Sequence, residues 1–248
     1  MAAHRHLSRA PITEALLDIR ASAQPAFAPE MLLAAKAAFK EEYPRSEEQK
    51  AAQVAFTAQP NLSATATELG LRGVLLRSED GLEVVQCRVD GFTYNRLKPY
   101  TRWEDILPKA LAAWMKYAKI TTPTAVSRVA VRYINHIPVP GSRQDAISAV
   151  TTGLQLPRDF SESMKSYRFR AHLGHPDGQM NINLVQAIEA DITRGTCSVL
   201  LDIDAYRASA HGLPLDPAGL ATEFENLRNY KNEIFFASLT EATAAMLT

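Results

Sequence analysis

Residues 126–137, VSRVAVRYINHI, decide the fold of this chain. Val, Ile and Tyr dominate the run, and these residues suit a pleated, half-buried surface. Pro138 and Pro140 close it. Side chains of a strand alternate between two faces. Arg128, Arg132 and His136 therefore share one face, and Tyr133 and Asn135 lie on the other. Two guanidiniums on one face can grip a carboxylate or another anion. They serve equally well as partners for carboxylates of the next strand.

Working outward, residues 12–23 repeat the period of two: Ala15, Leu17 and Ile19 alternate with Glu14, Asp18 and Arg20. Pro29 opens a helix with Met31, Leu32, Ala35, Phe39 and Tyr43 at helical spacing, and Pro44 ends it. Strands follow at 51–58, 70–77 and 82–97, with 62–69 as an additional short candidate. The Asp80-Gly81 pair marks a hairpin turn. Thr101 and Glu104 read as a capping box, ahead of an apolar stripe of Trp103, Ile106, Leu107, Ala110, Leu111, Trp114 and Tyr117.

After 126–137 the plan recurs. A short helix spans 143–152, and strands span 166–175, 180–190 and 196–206. HPDG (175–178) and TRG (193–195) form the turns between them. Asp216-Pro217 then opens a long helical region carrying Leu220, Phe224, Leu227, Ile234, Phe235 and Leu239, with a second turn-in at Leu239 and Thr240. The order predicts an α+β fold of two tandem β-α-βββ-α units, 1–122 and 123–248, fused in one globule. Its sheet is mostly antiparallel, with the helices packed on one face. This order resembles the repeat of the TATA-box-binding protein at the level of fold, which carries no function.

Composition narrows the classes. The 248 residues suffice for a sizeable core. Lys plus Arg and Asp plus Glu number 27 each, so the net charge is zero. That argues against a coat for nucleic acid, which draws its affinity from basic surplus. Two cysteines in apolar runs, Cys87 and Cys197, do not make a secreted disulfide framework. The polar first nine residues lack the apolar stretch of a signal peptide. No run has the roughly 18 apolar residues that a membrane span needs. The expectation is a cytoplasmic protein without a membrane association.

No motif announces catalysis. Metal-binding H-E-x-x-H or C-x-x-C spacing, phosphate-binding glycine loops and a nucleophile elbow do not occur, so neither metal nor cofactor is expected. Glu14 and Asp18 lie about 13 Å apart along a strand, too far for a carboxylate pair, and a structural ion pair with Arg20 or a neighbour is the better reading. Asp202 and Asp204 are about 6.6 Å apart on one side and lack further metal ligands. Residues 91–103, GFTYNRLKPYTRW, interleave aromatic and basic side chains that could stack on bases and touch phosphates. They equally suit a strand-to-helix junction.

The stretches PITEALLDIR (11–20), GFTYNRLKPYTRWEDI (91–106), VAVRYINHI (129–137) and FENLRNYKNEIFFASLT (224–240) together resemble a sporadically distributed bacterial protein family of this length, with no assigned reaction. The resemblance spans nearly the whole chain. It implies a free-standing bacterial protein, with a distribution that suits mobile or defence-linked genes, and transfers no catalytic residue. The leading expectation is a non-catalytic binding or interaction module with a protein partner or a second copy of itself. Its candidate binding residues are Arg96, Lys98, Arg102, Arg128, Arg132, Tyr133 and Asn135. A nucleotide or nucleic-acid binder is one alternative. An enzyme built on Asp202, Asp204 and His172 is the other.

Overall fold

The computed structural model describes residues 7–59, 61–152, 166–191 and 196–248, with backbone alone at 52–69 and 189–196. The chain is a mixture of helices and a nine-stranded sheet in which every pairing is antiparallel. Strand β1 (Ile12–Ser22) is followed by a 3-10 turn at Pro29–Leu33 that runs into α1 (Ala34–Ala38). Strands β2 (Arg45–Gln59), β3 (Asn61–Arg77), β4 (Glu83–Arg88) and β5 (Gly91–Leu97) lead to helix α2 (Trp103–Thr121). The chain continues with β6 (Ala125–Val139), α3 (Arg143–Ser148), β7 (Tyr167–Gly174), β8 (Asn181–Asp191) and β9 (Thr196–Leu213). It ends with α4 (Pro217–Ala237) and α5 (Glu241–Met246).

The sheet order is β2-β3-β4-β5-β1-β6-β9-β8-β7. β1 and β6 pair at its centre, Leu17 opposite Val131 and Ile19 opposite Val129. The period of two then places Ala15, Leu17, Ile19, Val129, Val131 and Tyr133 in the core. Fully burying an aliphatic side chain such as Leu17 contributes about 1.5–3 kcal/mol. Helix α2 packs on β5, α4 packs on β6 and β9, and the two helices touch. On β5, Phe92 meets Trp114 and Tyr117 edge-on and tilted, at centroid distances of 6.0 and 5.7 Å.

Four features depart from the sequence expectations. The stretch 82–97 is two strands, because Val89 and Asp90 turn the chain ahead of Gly91, so four strands and not three follow α1. Residues 61–77 form one continuous strand, and the part of β3 before Gly73 pairs with β2 alone. Helix α2 is preceded by an extended Arg102 without a side-chain cap, in place of the Thr101–Glu104 box. Helix α3 stops at Ser148, and Val150 bridges to Leu239. The helix opening at Asp216-Pro217 and the turn-in at Leu239 and Thr240 are present, with Asp216 and Thr240 as N-caps. The 193–195 turn lies outside the described residues.

Gly91 makes the β4–β5 hairpin fit against β1. Its φ is 152°, and a Cβ there would lie 2.2 Å from the Ile19 carbonyl oxygen. That neighbour is backbone of the central strand and cannot rotate away. Gly91→Ala is expected to lower stability by about 2–3 kcal/mol. The control Gly178→Ala sits at φ 73° in open space and carries only the left-handed penalty of about 1–2 kcal/mol. Urea midpoints at unchanged slope check both.

Candidate functional site

Two polar regions emerge from the strand pattern, one on each side of the central sheet. On the side away from Tyr133, the even-numbered residues of β1, β6 and β9 meet the odd-numbered residues of β5. Arg128 binds Asp204 at 2.8 Å and Asp18 at 3.3 Å, and its guanidinium lies 4.5 Å from the Tyr206 ring centroid. Arg132 donates to both carboxylate oxygens of Asp202, at 2.8 and 2.6 Å. Asp18 also accepts from Arg88 at 2.8 Å and from Thr93 at 2.7 Å.

Arg132, opposite Asp204, reaches diagonally to Asp202, the cross-strand neighbour relation of an antiparallel pair, while Arg128, opposite Ala208, reaches four residues along β9 to Asp204. Glu14 completes the group; burial pushes its carboxyl above the usual range, against the pull of Arg132. At the centre of this face Arg20, Arg88, Arg128 and Arg132 meet Glu14, Asp18, Asp90, Asp202 and Asp204 in a self-neutralised network. Arg168 and Arg170 of β7 are exposed on the same side, beyond it. Asp202 and Asp204 are thereby spent on arginine. Among the described residues no group of three or more His, Cys, Asp or Glu is arranged to hold a metal ion.

On the other side of the sheet a cavity of about 610 Å³ opens where the two halves of the chain meet. The N-terminal segment 7–12 and the loop 98–104 come from one half. The second half contributes Tyr133 and Asn135 of β6 and one face of α4. Asn135 is held rigidly, its amide nitrogen donating to the Leu201 carbonyl at 2.9 Å. The phenol oxygens of Tyr100 and Tyr133 are hydrogen-bonded at 2.9 Å. Burial raises both phenols above their ordinary range, so they stay protonated.

Lys231 enters this cavity from α4. It is 5% exposed, and its ammonium lies 3.7 Å from the Tyr133 ring centroid. Among the described residues it has no ion-pair partner. One turn earlier on the same helix, Arg228 lies over the Trp103 ring at 5.3 Å and reaches Glu104 at 3.6 Å and Glu225 at 3.4 Å. Burial, with Arg228 adding like charge, pushes the Lys231 ammonium down from its ordinary 10.5 to about 7.

A second cavity of about 600 Å³ lies between α1, the 78–83 turn and α2. Its two cations are already matched: Lys109 binds Glu83, and Lys116 binds Glu42 at 2.5 Å. We place the candidate site in the first cavity, where a buried cation lacks its counter-charge.

The sequence candidates divide between these regions. Lys98, Arg102, Tyr133 and Asn135 line the cavity. Arg96 is buried beside it and steadies the loop, donating to the Pro99 carbonyl at 3.3 Å while pairing with Glu83 at 3.4 Å. Arg128 and Arg132 lie across the sheet in the ion-pair network. His172 stands apart from the cavity, beside Asn181 and Tyr206. Phe235 and Phe236, adjacent on α4, both line the cavity, so neither needs a partner outside the chain.

Arg228 and Lys231 are the residues that sequence reasoning missed. The signal was present. Leu220, Phe224, Leu227 and Phe235 mark a buried stripe, and Lys231 occupies the position in that stripe where an apolar residue belongs. No protein-family model matches this chain, and no curated protein sequence is significantly similar to it. No helix among the described residues is long and apolar enough to cross a membrane.

The charge on Lys231 has a measurable consequence. Below about pH 7 it is protonated in folded and unfolded chains alike, and the folded state bears the full burial cost. Between about 7 and 10.5 the unfolded chain binds one more proton, so stability rises with pH. Tyr133 of β6 and the charge of Arg228 of α4 act on it directly, and Arg9, Lys98, Tyr100, Arg102 and Glu104 line the same cavity. Lys231→Met is expected to raise stability by about 1–4 kcal/mol at pH 6. The gain should shrink towards zero as the pH approaches 10.5. Urea unfolding of both proteins across that range checks it.

Proposed function

We propose that this protein is a binding module that takes a small anionic, ring-bearing compound, of the nucleotide class, into the cavity beside α4. The observation that carries this reading is the Lys231 ammonium, buried over Tyr133 without a carboxylate. A bare buried cation is costly, and an entering phosphate or carboxylate offsets that cost through charge-assisted hydrogen bonds. Arg228 stands one turn away on the same face, and Lys98 and Arg102 line the rim. Partly buried Tyr100 offers a ring to a planar group, whereas Tyr133 and Trp103 already carry Lys231 and Arg228 over theirs. The cavity volume falls in the roughly 300–1,000 Å³ range of small-molecule sites.

We also propose that the chain is two copies of one unit, 1–122 and 123–248, with the helices on one side of the sheet. β1 lies beside β5 and β6 beside β9, so the first strand of each half neighbours its last, and the remaining strands run outward in reverse order on both sides. The cavity then sits on the seam between the copies, where two diverged halves differ most usefully. The ion-paired centre of the opposite face does not favour a nucleic-acid track, and the nucleotide reading rests on the cavity alone.

Adenosine 5′-monophosphate and orthophosphate are the probes. Adenosine 5′-monophosphate at one hundred times its dissociation constant is expected to stabilise the protein by about 2.7 kcal/mol in thermal unfolding. Lys231→Met and Arg228→Ala should each weaken binding at least ~10-fold, whereas Arg132→Ala across the sheet should not. A protein that neither probe stabilises, or whose binding survives Lys231→Met intact, contradicts the proposal.

A further inference from the structure

We infer that Lys231 is the nucleophile of this cavity and captures an anionic carbonyl compound as an imine, an inference that rests on the cavity being the ligand site. The geometry supplies three parts. An amine sits inside a 610 Å³ space walled by Tyr133, Phe235 and the loop 98–104. Arg228, three residues earlier on the same helix and lying over Trp103, would hold a phosphate or carboxylate by exchanging it for its long contacts to Glu104 and Glu225, at 3.6 and 3.4 Å. The hydrogen-bonded phenols of Tyr100 and Tyr133 border the same space and can pass a proton between them. An aldehyde or ketone bearing a phosphate or carboxylate matches all three.

The chemistry balances without an oxidant or reductant. The lone pair of the neutral Lys231 Nζ attacks the carbonyl carbon and forms a C–N bond. The π pair moves to oxygen, which gains a proton as the nitrogen loses one. The carbinolamine hydroxyl takes a further proton, which a tyrosine phenol bordering the cavity can donate, and leaves as water. The C=N bond closes as the second proton leaves the nitrogen and restores the phenol. Amine plus carbonyl become imine plus water. A nucleophilic lysine must be neutral, and desolvation in an apolar pocket is how such amines are activated. Burial holds a large share of Lys231 neutral near pH 7, whereas an exposed lysine with an ordinary value of about 10.4 is almost wholly protonated there.

The test traps the imine on the intact, full-length protein. Glyoxylate, a small anionic aldehyde, is added at pH 7 with cyanoborohydride, and the carboxymethylated lysines are mapped and timed by peptide mass. Lys231 is expected to be modified at least ~10-fold faster than exposed lysines such as Lys40. Orthophosphate should slow it, and Arg228→Ala should slow glyoxylate but leave the uncharged propionaldehyde nearly unchanged. Modification of Lys231 no faster than of Lys40 overturns the inference. If that happens while orthophosphate still stabilises the wild type through Lys231, the anion pocket stands and the nucleophile falls. If neither orthophosphate nor adenosine 5′-monophosphate stabilises the protein either, both readings fall together.

Discussion

The antiparallel pairing of β1 with β6 is the constraint on which the rest of this structure depends. It joins the two halves through one ladder, from Ile12 opposite Asn135 to Ser22 opposite Ala125, with register shifts at its two ends and an unbroken register from Glu14 to Arg20. Its register assigns every polar residue of β6 to a side. Tyr133 and Asn135 go to the helix-covered core with Leu17 and Ala15, while Arg128 and Arg132 go to the side of Asp18. A slip of one residue would exchange the two sets. It would bury two guanidiniums under α4 and expel the tyrosine on which Lys231 rests. The ion pairs of Arg128 and Arg132 with Asp204, Asp18 and Asp202 are thus register locks as well as charge partners.

The same pairing builds the cavity. The strand β5 beside β1 delivers the loop 98–104, and β6 carries Tyr133 and Asn135. Helix α4, following β9, lies across β6 and brings Arg228 and Lys231 over them. No single segment contains the site. A lysine in the buried stripe of α4 makes no sense as packing alone, since Leu or Met would fill that position without a desolvation cost. Buried ionisable groups with strongly shifted protonation cluster at working sites. The fold bears this cost at a place open to a small molecule, which gives the cost a use.

Much of this architecture was legible in the sequence. The alternation in 126–137 and 12–23 gave the correct inward and outward sets, because one face of each strand is buried and the pattern must follow. The turns at Asp80-Gly81 and Asp216-Pro217 were readable from backbone chemistry, whereas the helix expected to run to Pro44 ends at Ala38. The β4–β5 hairpin was not, because Val89, Asp90 and Gly91 continue an apolar run, and the tight approach of Gly91 to Ile19 is a tertiary fact. Four of the seven candidate residues converge on one cavity, since the 91–103 stretch and the far face of 126–137 were singled out for aromatic and polar character. Arg128 and Arg132 looked equally functional, and only their spatial partners on β1 and β9 show them to be neutralised. Lys231 escaped because a lone lysine in a helical stripe matches no motif. Its meaning comes from what surrounds it.

The protonation of Lys231 carries the account of the site, and it can be read directly. A ¹³C-detected NMR titration of the lysine ε-carbons, with Lys231 assigned by its loss in Lys231→Met, follows that one amine in the folded protein. The account predicts a midpoint near 7, displaced upward when orthophosphate occupies the cavity. A midpoint at the ordinary lysine value of about 10.4, unmoved by orthophosphate, would show a solvated or paired amine and contradict it.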